Sequence, residues 1–263
     1  MSHKRRPYTS ELSDKQWKRL KWMFPKRKGA GRPLELDLRL VMDAIFYVLV
    51  CGCQWRNLPN DYPNPNSVYY HYRKWCVNGT WQRINRILGY LERRRVGRIP
   101  RPSAGIMDSQ SVKVSDRGGV SGYDGGKKIK GRKRHVLVDT LGNLLEVVVS
   151  AANVNDRTGA QMLMNKVERQ IALRLLKIWV DKGYQGDLDA WFHTHWQIAL
   201  EVVAAEKGQK GFVVQPRRWV VERTFAWLGN FRRLSKDYEQ CIGSSEGMIY
   251  LASIRTMLKR LPA

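Results

Sequence analysis

The sequence predicts an α+β protein, with a helical N-terminal part followed by a mixed five-stranded sheet flanked by helices. Three observations carry this reading. Apolar residues recur at helical spacing through the first 95 positions. From Gly105 the pattern changes to short β-branched runs bounded by Gly, Asn and Asp. Those runs then alternate with capped helical segments, in the order β-β-β-α-β-α-β-α. At 263 residues, 43% of them hydrophobic, the chain can bury one large core or two unequal ones.

Residues 1–12 read as a basic arm. Ser13-Asp14 caps a first helix with Trp17, Leu20 and Phe24 on it, and Pro25 stops it. Residues 26–33 form a basic, Gly-rich linker. A second helix over 36–50 opens at Asp37 and ends at Gly52. Its broad apolar surface, Leu38, Val41, Met42, Ile45, Val48 and Leu49, marks it as a core helix. After the turn Trp55-Arg56-Asn57-Leu58-Pro59, Ser67 caps a helix over 68–77. Asn78-Gly79 breaks it, and Thr80 caps another over 81–95. Short helices joined by tight turns fit a helix-turn-helix-like module. In it, Tyr70, Arg73 and Lys74 on the 68–77 helix are the candidates for DNA contact; the same aromatic spacing also suits a core-facing helix. The basic run from Arg93 to Arg101 divides the chain into a helical DNA-binding domain with a basic arm (1–100) and a catalytic domain (101–263).

In the second part, residues 106–114 form a strand with Asp108 inside it. Residues 115–131, rich in Gly, Lys, Ser and Asp, read as a loop that orders over DNA. Residues 131–135 lead into a strand over 136–139. Thr140-Leu141-Gly142-Asn143 turns the chain, and 144–151 returns as a third strand. Asn155 or Asp156 caps a helix to about 172. A strand over 176–181 ends in Asp181-Lys182-Gly183, a helix over 187–194 follows, and 197–204 is the fifth strand. A helix over 217–234 carries Glu222, and Ser244 or Ser245 caps a last one to about 261. This element order is that of the ribonuclease H-like fold, in which acids from the first and fourth strands and a late helix meet at one sheet edge.

The formal charge of +24 calls for a polyanionic partner. No apolar run reaches about 18 residues, so no membrane span is predicted, and the N-terminus lacks a signal peptide's apolar run. Four cysteines without Cys-x-x-Cys spacing argue against a zinc site and for reduced thiols in a cytoplasmic protein. Against this charge, Asp108, Asp181 and Glu222 stand out. Each also has a plain structural use: Asp181 as a turn cap, Asp108 as a partner of Lys113 or Lys182, Glu222 as an i,i+4 partner of Arg218. Together they form a carboxylate set suited to two divalent ions, which overcome the shielding of a phosphodiester. Other acids fit less well: Asp139 belongs to a turn, Asp156 and Asp187 to helix starts, Asp116 and Asp124 to a loop. Phosphate or base contacts are expected from Arg132, Lys133, Arg134, His135, Arg218, Trp219, Arg223, Arg232 and Arg233.

Five motifs in this order, Met107-Asp108-Ser109-Gln110-Ser111, Lys130-Gly131-Arg132-Lys133-Arg134-His135, Ala151-Ala152-Asn153-Val154-Asn155-Asp156-Arg157, Asp181-Lys182-Gly183-Tyr184-Gln185-Gly186 and Arg218-Trp219-Val220-Val221-Glu222-Arg223, resemble the DDE transposases of bacterial insertion sequences, insertion-sequence family five. The resemblance covers nearly the whole chain. It implies a triad of Asp108, Asp181 and Glu222 holding two Mg²⁺ or Mn²⁺ ions. It also implies binding of terminal inverted repeats, cleavage by metal-activated water, and joining of the 3′-hydroxyl to target DNA by a homodimer on double-stranded DNA. A signature of the wider group places Tyr and Arg before the Glu and Lys after it. Arg218 matches the Arg, but the Tyr position is Gln215 and the Lys position is Gly229, with Arg232 or Arg233 as substitutes. The alternatives are a nuclease of the same fold that cuts without joining, a catalytically inactive DNA-binding repressor, and a generic RNA-binding protein.

Overall fold

The computed structural model describes residues 6–25, 36–115, 119–203 and 217–262. The linker at 26–33, Asp116 and Gln215 lie outside them.

Four helices come first: α1 (Asp14–Leu20), α2 (Leu38–Cys51), α3 (Pro65–Val77) and α4 (Thr80–Arg95). Local chemistry sets their ends. Ser13 and Gln16 make a reciprocal capping box on α1. Asp37 accepts from the Arg39 N–H at 2.8 Å to start α2, and Gly52, at φ +72°, ends it. α3 begins earlier than the Ser67 cap predicts, because Asn64 caps it and Pro65 takes the first helical position, where a missing N–H costs nothing.

The sheet follows: β1 (Ala104–Lys113), β2 (Gly122–Asp124), β3 (Ile129–Asp139), β4 (Leu144–Ala151), β5 (Lys177–Val180) and β6 (Ala199–Val202). β3 pairs antiparallel with β1, β2 and β4, while β1–β5 and β5–β6 are parallel. This is the ribonuclease H-like arrangement, and the five predicted strands are all present. The short β2 is additional, and it corrects the reading of 115–131 as one loop: Asp124 is buried and accepts from Ser111 Oγ at 2.5 Å. β3 is also longer than expected, since the basic residues 131–135 are strand rather than approach.

Helices α5 (Asp156–Lys166), α6 (Arg169–Ala172), α7 (Leu188–Trp196), α8 (Trp219–Gly229) and α9 (Ile242–Arg260) cover the sheet. Strand alternation sorts the core into two layers. Met107, Leu137 and Val148 face α5 and α7. Ile106, Val136 and Val138 face α8, α9 and the N-terminal helices. The expected division near residue 100 falls between α4 and β1, and this second core layer runs across it. The late helix is shorter than the predicted 217–234. It stops at Gly229, and Arg232–Leu234 is a separate 3₁₀ turn. Cys241, not a serine, stands at the N-cap of α9. Among the described residues no helix is long and apolar enough to cross a membrane, and all four cysteines are free thiols.

Candidate active site

The β1–β5 register pairs Ile106 with Trp179, so two residues further on Asp108 lies level with Asp181. Glu222 comes from the first turn of α8. The three side chains meet at one guanidinium: Arg218 Nη2 lies 3.4 Å from Asp108 Oδ2, 3.8 Å from Asp181 Oδ2 and 3.9 Å from Glu222 Oε1. Backbone N–H groups pin the other oxygens. Ser109 N–H donates to Asp108 Oδ1 at 2.7 Å and Gly183 N–H to Asp181 Oδ1 at 2.8 Å. Each aspartate therefore turns its Oδ2 to the shared centre. Burial pushes the Asp108 carboxyl up to about 6, with the Ser109 N–H and the Arg218 charge pulling it down and Asp181 adding to the rise.

Among the described residues no three His, Cys, Asp or Glu side chains stand close enough to enclose a metal ion; the arginine holds the middle of this set. The donors themselves are hard, anionic oxygens, one on a buried carboxyl whose charge is penalised by desolvation. That chemistry fits a hard divalent cation, and Asp108, Asp181 and Glu222 are the residues that would hold it.

A fourth acid adjoins the three. Asn155 caps α5, accepting from Thr158 N–H at 2.8 Å, which corrects the assignment of Asp156 to that role. Asp156 Oδ1 instead accepts from Ser109 Oγ at 2.7 Å and lies 3.3 Å from Lys133 Nζ. A Cβ on Gly183 would lie 3.0 Å from Asp181 Oδ1 and 3.3 Å from Asp156 Oδ2, so the glycine lets both acids approach the turn. Tyr184, fully buried here, has its hydroxyl pushed well above the usual range by burial and then by the charges of Asp108, Asp156 and Asp181. The signal for Asp156 was the adjacent pair Asn155-Asp156: only one can cap, which leaves the other available.

Five of the expected DNA contacts are buried, and the structure corrects them. β3 is interior and covered on both faces. Arg132 is 1% exposed and donates to the carbonyls of Val120, Glu239 and Gln240. Arg134 donates to the Leu234 carbonyl at 3.0 Å. Lys133 sits between Asp124 and Asp156. His135 meets Ser150 Oγ at 3.0 Å, and burial lowers its ring to about 4, so it is neutral at pH 7. Arg233 donates to Glu239 Oε1 at 2.8 Å and to the Cys53 carbonyl, which removes it as a substitute lysine. Of the other candidates, Tyr70, Lys74, Trp219 and Arg232 are exposed, while Arg73, Arg218 and Arg223 are half-buried. Trp219 is 40% exposed and Tyr70 60%. Arg223 lies over the Trp219 and Trp227 rings at 4.5 and 4.4 Å. Arg232 and Lys74 are exposed, and Arg73, partly buried, donates to Ser244 Oγ.

A ribonuclease H-like sheet edge that gathers three acids from two adjacent parallel strands and a late helix defines a nucleic-acid-processing class of protein. The comparisons with known proteins agree. Residues 99–257 match the transposase DDE domain family, more than half of the chain, and residues 12–85 match a family described as transposases of the IS4/5 family. The chain therefore belongs to the DDE transposases of insertion sequences. A Burkholderia cepacia protein named as a transposase for insertion sequence element IS402 is 33% identical over 117 residues, covering 42% of this chain and 54% of that one. The chain thus spans about half the length of this curated relative.

Proposed function

We propose that the protein binds the terminal inverted repeats of its mobile element, cleaves DNA at the element end and joins the freed 3′-hydroxyl to target DNA. The observation that carries this is the convergence of Asp108, Asp181 and Glu222 within 4 Å of Arg218 Nη2, in a chain of the DDE transposase family. In the first step water attacks phosphorus, the bond to the 3′-oxygen breaks, and a 3′-hydroxyl and a 5′-phosphate result. In the second, that hydroxyl loses its proton and attacks a target phosphodiester in line, forming one P–O bond as another breaks. The Ser109 and Gly183 N–H groups hold the aspartates in one rotamer, so the site is arranged before DNA arrives. Arg218 offers a delocalised cation to the phosphate oxygens on which negative charge builds. Asp108, Asp181 and Glu222 would hold two divalent ions, Mg²⁺ or Mn²⁺, which when bound would supply Lewis acidity to the phosphodiester.

Residues 1–100 serve as the end-recognition domain, with Tyr70 and Lys74 on the exposed side of α3. The exposed Trp219 and Arg232 and the partly buried Arg223 track the strand near the cut. Two ends must be held together, so a homodimer forms on the DNA of the bacterial nucleoid. The experiment is strand transfer with pre-cut element ends and supercoiled target. Joined product is expected; release of fragments with no joined product makes the protein a nuclease of the same fold instead.

A further inference from the structure

A cleft of about 500 Å³ opens between the turn that precedes α3 and the loop that follows α8. Its volume falls in the range of small-molecule sites, roughly 300–1,000 Å³. One wall carries Trp55, Asn66 and Tyr69, the other Tyr238, Glu239 and Gln240. The wall rings are arranged rather than loose. Trp55 and Tyr69 meet edge to face with centroids 5.3 Å apart, and Arg233 lies 5.5 Å over the Tyr238 ring.

The walls are fixed by charges the catalytic proposal leaves unused. Arg132, from inside the sheet, donates to the Glu239 and Gln240 carbonyls at 2.6 and 2.8 Å, and its guanidinium lies 3.2 Å from Asp237. Arg233 bonds the Glu239 carboxylate in one wall and the Cys53 carbonyl behind the other, so it ties the two together. The backbones behind them nearly touch: a Cβ on Gly52 would lie 3.0 Å from Arg232 Cβ. The cleft is therefore formed in advance.

Three aromatic rings give π faces for stacking. Three carboxamides, of Gln54, Asn66 and Gln240, give the mix of donors and acceptors that a base edge requires. Arg56, exposed on the rim, suits a phosphate. We propose that this cleft takes one unpaired nucleobase of the DNA strand, an inference that rests on the reading of the protein as a DNA-processing enzyme. Its place in the fold sets where that base lies. Asp237 pairs with Val114, six residues along the β1 line from Asp108. At about 3.3 Å per residue this is about 20 Å from the acids, or about six nucleotide steps at about 3.4 Å each. The cleft is thus a second holding point well away from the scissile phosphate.

The test measures binding of the full chain to labelled terminal-repeat duplexes carrying one unpaired nucleotide, scanned along the strand, against the fully paired duplex and an abasic version. The readout is the ratio of paired to unpaired Kd. The expected ratio is about tenfold, greatest about six nucleotides from the cut. Replacing the unpaired nucleotide by an abasic one brings it to about one. Tyr69→Ala and, as a milder change at an exposed position, Gln240→Ala each lower the ratio. A 5-iodouracil at that position crosslinks to Trp55, Tyr69 or Tyr238. Equal affinity for all three duplexes overturns the cleft assignment and leaves the transposase reading standing. Binding of dAMP as tightly as the unpaired duplex overturns it in favour of a free-nucleotide site. Failure to bind any of the DNAs overturns both.

Discussion

Replacing Arg132 by alanine separates an internal brace from a DNA contact. The guanidinium and its Asp237 partner are each 1% exposed and 3.2 Å apart. Truncation leaves a carboxylate buried without that cation, and breaking a buried pair in this way costs about 3–5 kcal/mol. The carbonyls of Val120, Glu239 and Gln240 lose their donor as well, and unsatisfied buried groups cost about 1–3 kcal/mol each, less where water enters. The cleft side is open to water, so the broken ion pair alone sets the floor. Arg132→Ala is then expected to lose at least about 3 kcal/mol, a large part of the 5–15 kcal/mol that holds a typical domain. Arg132→Lys keeps the charge but not the fork and should fall between. Urea unfolding followed by tryptophan fluorescence reads this directly. A surface phosphate contact behaves differently: stability stays within about 0.5 kcal/mol, and the slope of log K against log salt drops by about 0.9. That pattern in Arg132→Ala would refute the brace.

Other expectations follow from the same packing. Gly159→Ala should destabilise despite a helix-propensity gain of about 1 kcal/mol, since the new Cβ would lie 2.1 Å from the His135 ring; overpacking costs about 1–3 kcal/mol, read as a lower Tm. His135 is held neutral in the folded chain, with its ring lowered from 6.5 to about 4. Between about pH 6.5 and pH 4 only the unfolded chain binds that proton, so the contribution is complete above 6.5 and lost as pH falls toward 4. The stability difference between wild type and His135→Gln should shrink across that window by up to about 3 kcal/mol; a flat difference means the ring titrates normally. Lys74→Ala, at an exposed position on α3, should leave unfolding unchanged and lower the salt slope for DNA by about 0.9.

The acids were legible because each stands where chain chemistry changes: inside or just after an apolar run, or on a helix opening in a basic stretch. The β1–β5 pairing that brings Asp108 level with Asp181 follows from the element order. The burial of Arg132, Lys133, Arg134 and His135 was not legible. In a chain at +24 a basic run reads as surface, and apart from Val120 the carbonyls that accept from Arg132 and Arg134 lie about a hundred positions away, at Leu234, Glu239 and Gln240 among others. β2, with three residues, is too short to show a period of two. α8 ends at Gly229, so Arg233 lies in a separate 3₁₀ turn and not on the helix that carries Glu222. Asn155 and Asp156 are equal as caps by propensity, and only the Ser109 and Lys133 contacts assign them different work.

Asp108, Asp181 and Glu222 are proposed to form one catalytic site. Its most direct test is cleavage and joining of labelled element-end DNA in Mg²⁺ or Mn²⁺, comparing wild type with Asp181→Asn. Asn keeps the shape and the acceptor for the Gly183 N–H but removes the charge. Wild type is expected to cleave and join in a metal-dependent way, and the variant to lose both with DNA affinity retained. Undiminished chemistry in Asp181→Asn, or end binding by wild type with no cleavage in either metal, would contradict it.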